Sequence, residues 1–322
     1  MSTLLLILLS ITFQTYPQRI KSFSAPEIRT LDDPFKGELF RYYTHHYDIN
    51  SNFGTNQIDN IEIDKQGRIW YATDGSGFGY MDGEHVYRFG SVNDLYDRFD
   101  VIFCDSKGSM WVGGNGVGVL NLKNGNYGDW YIDSTDISDL HIQDIKEDLN
   151  GDIWVSTRVN GLSHFTDSSF IEYSHRNQDK RADYVSDLTI DAKNRIWFRI
   201  GQKIYYIEEG SVKTIEHLYD TEEMQLRVLG GDHKDYVVGC DWKNRLHKIT
   251  PNGLELLETK YIEGASEQVR ILKNDPDGNL FIGTKNGIYK HEAGIAKQLA
   301  YQPLDKFYLS DFDFDKDVGL WA

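Results

Sequence analysis

One aromatic position, repeated at a nearly fixed interval, limits what this chain can fold into more than any other feature. Trp70, Trp111, Trp154, Trp197, Tyr236, Phe281 and Trp321 follow one another at spacings of 41, 43, 43, 39, 45 and 40 residues. Six residues before the aromatic stands an aspartate in six of the seven copies: Asp64, Asp105, Asp148, Asp191, Asp275 and Asp315. Three residues before it stands a turn-former in five: Gly67, Gly108, Gly151, Asn194 and Gly278. Directly before it come Ile69, Met110, Ile153, Ile196, Leu280 and Leu320. A period near forty residues marks a repeat architecture, in which one unit cannot bury its apolar face alone and stacks on its neighbours.

Each copy divides into short strands. In the third, residues 148–151 are a tight polar turn and 153–157 an apolar strand, and Asn160-Gly161-Leu162 turns the chain into another strand. In the first copy, strands are expected over 58–64, 68–73, 78–81 and 85–89. Aromatic content is 13%, with 20 Tyr and 7 Trp but 6 Pro, which suits strands. No long stretch carries apolar residues at helical period. The expected fold is all-β: a β-propeller of about seven four-stranded blades over residues 39–322, the last blade incomplete. Residues 39–44 are read as an outer strand donated to that last blade. Because the chain stops just after Trp321, it is expected to be the front part of a longer polypeptide. Copy five diverges most, losing its turn Asp and Gly around residues 232–235.

The repeated Trp and Asp are read as scaffold. The indole wedges between neighbouring sheets, and the aspartate caps backbone N–H groups of the turn. Residues 1–25 hold the apolar run from Leu4 to Leu9, too short to span a bilayer but fitting a signal peptide cleaved near 22–25. Residues 26–38 form an irregular lead-in. With 34 Lys and Arg against 50 Asp and Glu, the net charge of −16 disfavours binding to nucleic acid. Cys104 and Cys240 fall at different repeat positions, so no disulfide is expected, and the ten His show no metal-binding helix spacing.

What varies between copies is left for function. Ten residues before each anchor stand Asn60, Val101, Asp144, Asp187, Leu226, Ile271 and Asp311. This slot lies in the first strand of each repeat, which lines a propeller's channel. Its polar members are candidates to ring a cation or sugar hydroxyls; the plainer reading is a wet channel that tolerates them. A second candidate surface is the loop after the anchor strand, with Arg158, Arg199, Trp242, Lys243 and Lys285 beside Asn115, Asn160 and Asn286. Arg199 replaces small residues of other copies and is expected on the open face, where aromatic, Arg and Asn groups suit an anionic or glycan ligand. The glycine-rich runs at 75–79 and 113–118 lead into strands rather than helices, which excludes a phosphate cradle. The acidic runs at 275–279 and 311–317 lack the register of a calcium loop. No catalytic constellation, metal site or cofactor is expected.

Residues 148–162 and 275–288 resemble the two-component regulator propeller repeat, and the resemblance extends over 39–322. It implies the extracytoplasmic, periplasmic sensor region of a Bacteroidetes-like hybrid two-component or one-component regulator. Such a region detects a small molecule or oligosaccharide and passes the signal to downstream domains through a membrane tether, with dimerisation through those domains. The alternative is a stand-alone propeller enzyme resembling streptogramin lyase or a sugar lactonase. A purely structural adhesion module has no specific support.

Overall fold

The computed structural model describes residues 10–13, 19–22, 27–30, 57–82, 85–91, 95–123, 127–130, 141–158, 161–166, 170–174, 184–215, 226–232, 236–257, 268–284, 287–292, 295–298, 309–315 and 319–321. Among them every regular element is a strand. Three short strands come first: β1 (Ser10–Phe13), β2 (Arg19–Ser22) and β3 (Glu27–Thr30). The first repeat supplies β4 (Asn60–Ile63), β5 (Ile69–Thr73), β6 (Gly77–Met81) and β7 (His85–Phe89). The second supplies β8 (Val101–Cys104), β9 (Met110–Gly114), β10 (Gly118–Lys123) and β11 (Tyr127–Trp130). The third has β12 (Ile142–Glu147), β13 (Ile153–Thr157), β14 (Leu162–Phe165) and β15 (Phe170–Ser174). The fourth has β16 (Val185–Ile190), β17 (Ile196–Ile200), β18 (Lys203–Glu208) and β19 (Ser211–Thr214). The fifth has β20 (Leu226–Asp232), β21 (Val237–Asp241), β22 (Leu246–Thr250) and β23 (Gly253–Leu256). The sixth has β24 (Val269–Asn274), β25 (Leu280–Thr284), β26 (Gly287–Glu292) and β27 (Ile295–Gln298). The seventh shows β28 (Asp313–Asp315) and β29 (Gly319–Trp321).

Each of the first six repeats is an antiparallel meander in sequence order, and β28–β29 is a two-stranded sheet. The expected donated strand at residues 39–44 lies outside the described residues. Blades one to three carry a fifth strand that the sequence did not announce. β3 pairs with β7 from Glu27↔Arg88 to Thr30↔His85, β2 pairs with β11, and β1 pairs with β15. A blade's last strand leaves a row of N–H and C=O groups unpaired, and an extended segment satisfies them without needing a particular side-chain pattern. Strand β3 falls in residues 26–38, read as irregular. Strands β1 and β2 fall in residues 1–25, read as a leader.

The chain divides into two compact units. One comprises Gln18–Ser138 and Ser310–Ala322 and holds blades one and two with the β28–β29 sheet. Its core is a cluster shared by the two blades, in which Trp70, Phe78, Phe89 and Phe99 meet Ile102, Met110, Val112 and Leu120. The other comprises Met1–Pro17 and Asp139–Leu309 and holds blades three to six. There Trp154 and Leu162 pack with Leu188, Phe198 and Tyr205, and Trp197 and Tyr206 pack with Leu229 and Ile249. Val238 and Leu246 pack in turn with Leu272 and Ile282. In every case one blade's face meets the next, which is how sheets two-sidedly rich in apolar residues become buried.

Candidate functional site

In repeats one to four and six the first turn is a side-chain lock. Asp64 Oδ1 accepts the backbone N–H groups of Gln66 and Arg68 at 2.9 and 3.0 Å, and Oδ2 accepts Trp70 Nε1 at 2.7 Å. Asp105, Asp148 and Asp191 bind Trp111, Trp154 and Trp197 in the same way at 2.9, 3.0 and 2.8 Å. Gly67, Gly108, Gly151 and Gly278 adopt positive φ at this turn, and Asn194 does so too, with φ 60°. The scaffold reading of Trp and Asp therefore holds, with the indole–carboxylate bond as an addition.

Copy five keeps this lock but has moved it. Asp241 Oδ1 accepts the N–H groups of Lys243 and Arg245, and Asn244 takes the positive-φ place. Oδ2 accepts Arg245 Nε at 2.7 Å and pairs with His247 Nε2 at 3.0 Å, so a histidine fills the slot of the indole. This turn joins β21 to β22, whereas in the sister blades it joins the first strand to the second. The turn Asp was thus not lost. Only its place in the blade changed, because the local chemistry closes any hairpin. Exposed Trp242 and Lys243 stand at the tip of this rigid turn.

The first strands of successive blades lie side by side within each unit. Bulges break the register at Ile142/Asp144, Val185/Leu188, Leu226/Val228 and Val269/Ile271, at or beside the candidate slot, and re-aim its side chains. Most polar members of that slot turn out to stitch blades together. Asp311 Oδ2 accepts Asn60 Nδ2 at 2.5 Å and Ile61 N at 3.2 Å, and Asn60 Oδ1 accepts Ile102 N at 2.6 Å. Glu62 and Asp313 do the same two residues on, accepting Cys104 N and Ile63 N. Asp187 accepts Arg199 Nε at 2.6 Å, Ser186 Oγ at 2.9 Å and Leu229 N of the next blade at 3.4 Å. Burial pushes the Asp187 carboxyl above its ordinary range, against the pull of Arg199. The Asp144 side chain is different: it pairs with half-buried Lys146 at 2.9 Å and accepts the N–H of Ile145 at 2.9 Å. Among the described residues, the hydrogen-bond and ion-pair partners of its carboxylate lie on its own strand.

The rim is dispersed. Arg199 is not on an open face: its side chain is 13% exposed, and Nη1 reaches the carbonyls of Gly201 and Leu226 at 3.1 and 3.3 Å. The expectation failed because Asp187, on the neighbouring strand, draws the guanidinium inward. Arg158 is exposed, and Asn115 is half-buried at the β9–β10 turn. Asn160, Lys285 and Asn286 lie outside the described residues. One cluster was missed: Asp148, Asp152 and His164 bring their ligand atoms within 4.8 Å of one another. Its signal was legible only as a break in the repeat, an Asp where Arg68 and Arg195 stand. Cys104 is no nucleophile: burial and the nearby Glu62 carboxylate push its thiol up to about 12.

Solved structures with the same arrangement of blades fix the fold class. Virginiamycin B lyase from Staphylococcus aureus aligns with a TM-score of 0.62 at 18% identity, over 77% of this chain and 85% of that one. The WD40 β-propeller domain of Doa1 aligns with a TM-score of 0.61 at 13% identity, over 82% and 88%. The fold is that of a β-propeller. An extracellular domain attributed to a one-component system of B. thetaiotaomicron aligns with a TM-score of 0.59 at 15% identity. It matches over 92% of this chain, which spans 41% of that longer one. No family profile matches the sequence, and no curated relative matches it.

Proposed function

We propose that this propeller is the extracytoplasmic ligand-sensing region of a bacterial signal-transduction protein. It takes up a small molecule or oligosaccharide and passes the signal to output domains of a longer polypeptide, which also supply any membrane tether and dimer contact. The observation that carries this reading is the similarity to the B. thetaiotaomicron extracellular domain along nearly the whole chain, while that domain continues well beyond the matched part. The acidic charge fits a soluble sensor that does not touch nucleic acid.

The similarity to virginiamycin B lyase favours a second reading, a propeller enzyme. Against it stands the use made of the slot's side chains: Asp187, Asp311 and Asn60 are occupied by backbone and guanidinium donors. A general acid or base needs a carboxyl free to exchange a proton with substrate. A thermal-shift screen of the purified chain against oligosaccharides and small anions tests the sensor reading, since a ligand bound only to the native state raises the melting temperature. A rise for one chemical class, reduced in Trp242→Ala or Asp144→Ala, is expected. No shift with any class removes the ligand reading and leaves the fold intact. Consumption of the added compound in place of a lasting shift marks the enzyme.

A further inference from the structure

The locks of the repeats can be compared atom for atom, because the same turn recurs. Four residues after the turn Asp, several repeats place a nitrogen donor on its Oδ2. Arg68 Nε reaches Asp64 at 2.6 Å, Arg195 Nε reaches Asp191 at 2.6 Å, Arg245 Nε reaches Asp241 at 2.7 Å, and Asn279 Nδ2 reaches Asp275 at 2.7 Å. In three of these four locks a guanidinium thus sits on the carboxylate, and in the fourth a neutral amide does. In blade three that slot holds Asp152, so one carboxylate faces another, and Asp148 Oδ2 keeps only the indole N–H of Trp154. The aromatic that covers the anchor is also replaced. Where Tyr80 and Tyr206 lie over Trp70 and Trp197, His164 stacks on Trp154 at 4.0 Å and an interplanar angle of 7°. Its Nε2 stands 3.2 Å from Asp152 Oδ2.

We propose that Asp148, Asp152 and His164 bind a divalent first-row transition ion that takes the place of the sister guanidinium. Two observations point the same way independently. The donor atoms converge within 4.8 Å, and in three sister locks the equivalent slot is filled by a guanidinium of the chain itself. One imidazole with two carboxylates suits zinc, nickel or copper better than calcium or magnesium, which prefer oxygen-only sets. On a tetrahedral ion with bonds of about 2.0–2.1 Å the ligand atoms stand roughly 3.3 Å apart, close to the His164–Asp152 separation. The site is reachable: the side chains of Asp152 and His164 are 27% and 14% exposed. Binding through Nε2 leaves the ring proton on Nδ1, a buried atom with no partner among the described residues. That cost holds the affinity to a modest level. The ion ties the β12–β13 turn to β14, as the guanidinium ties its own lock.

The test is calorimetric titration of the tag-free, chelator-stripped chain with zinc chloride, followed by thermal melts. One ion per chain, a raised melting temperature and an affinity that falls as acid protonates imidazole are expected. Calcium or magnesium at the same concentration leaves the titration unchanged. His164→Gln abolishes binding. Asp152→Arg also abolishes it, while its melting temperature without metal is no lower than wild type, because it restores the sister guanidinium. Absence of zinc binding overturns the proposal. Zinc binding that persists in both variants overturns it too, placing the ion at another surface histidine. Binding of calcium but not zinc overturns the choice of metal class.

Discussion

At the scale of single residues, the turn aspartates show how one side chain can hold a hairpin, an indole and a cation together. Asp191 is 1% exposed and accepts Lys193 N, Arg195 N, Arg195 Nε and Trp197 Nε1. Asp191→Ala takes the paired carboxylate away from buried Arg195, so a loss of about 3–5 kcal/mol is expected in urea denaturation. The same change at half-buried Asp275, whose anchor is a phenylalanine without an N–H, should cost only about 1–2 kcal/mol. Two other carboxyls respond to pH in opposite senses. Burial works against ionising Asp241, but the bonds from His247 and Arg245 outweigh it and hold its carboxyl below the usual range. Asp241 therefore contributes stability above the unfolded value, and that contribution is lost as pH falls through the lower folded one. Asp187, raised by burial, does the reverse: its ionised form costs stability above the raised value, and acidification through that value relieves the cost. Urea midpoints followed across pH should lose the acid-side fall in Asp241→Asn and lose the opposing rise in Asp187→Asn.

At the scale of elements, the turns decide how strands meet. Gly77, at the start of β6, has φ +83°, and a Cβ there would stand 1.9 Å from the carbonyl oxygen of Phe89 on β7. Gly67 has a similar φ, +76°, but its Cβ would meet nothing within 4 Å. Gly67→Ala should cost only the left-handed backbone penalty of about 1 kcal/mol. Gly77→Ala has to push β7 away as well and should cost several times more, read as the difference between their melting temperatures. The bulges belong to this scale too. The sequence placed Asn60, Asp144, Asp187 and Asp311 in one slot, yet at Asp144 and Asp187 its direction depends on register shifts that leave no mark in the pattern of apolar residues. The relocated lock of blade five was hidden for a similar reason. Its Asp241, Asn244 and His247 keep the spacing of a turn, but the spacing does not say which pair of strands the turn joins.

At the scale of the whole molecule, the blades are held by face-to-face clusters that couple consecutive sheets. Phe89 lies in the cluster of blades one and two, and Leu229 in that of blades four and five. Phe89→Ala is expected to cost about 3–5 kcal/mol and Leu229→Ala about 2–5 kcal/mol. Because the two clusters have no member in common, the double variant should equal the sum to within about 0.5 kcal/mol in urea denaturation. A deviation larger than that reveals coupling between the two clusters that nearest-neighbour stacking does not contain.

The repeat was legible in the sequence, since nearly every copy needs the same turn, the same apolar strand and the same large aromatic. So were strand content and the scaffold role of Asp148 and Trp154. These are local demands, and local chemistry writes them into spacing. What only the tertiary structure decided is which polar side chains remain available. Arg199 and Asp187 read as a free cation and a free carboxylate, but adjacency of two strands joins them, and adjacency of two blades turns Asn60 and Asp311 into stitches. The cluster of Asp148, Asp152 and His164 emerged only when β14 folded back along β13. That pairing carries a residue twelve positions away onto the turn, a distance over which sequence spacing carries no chemistry.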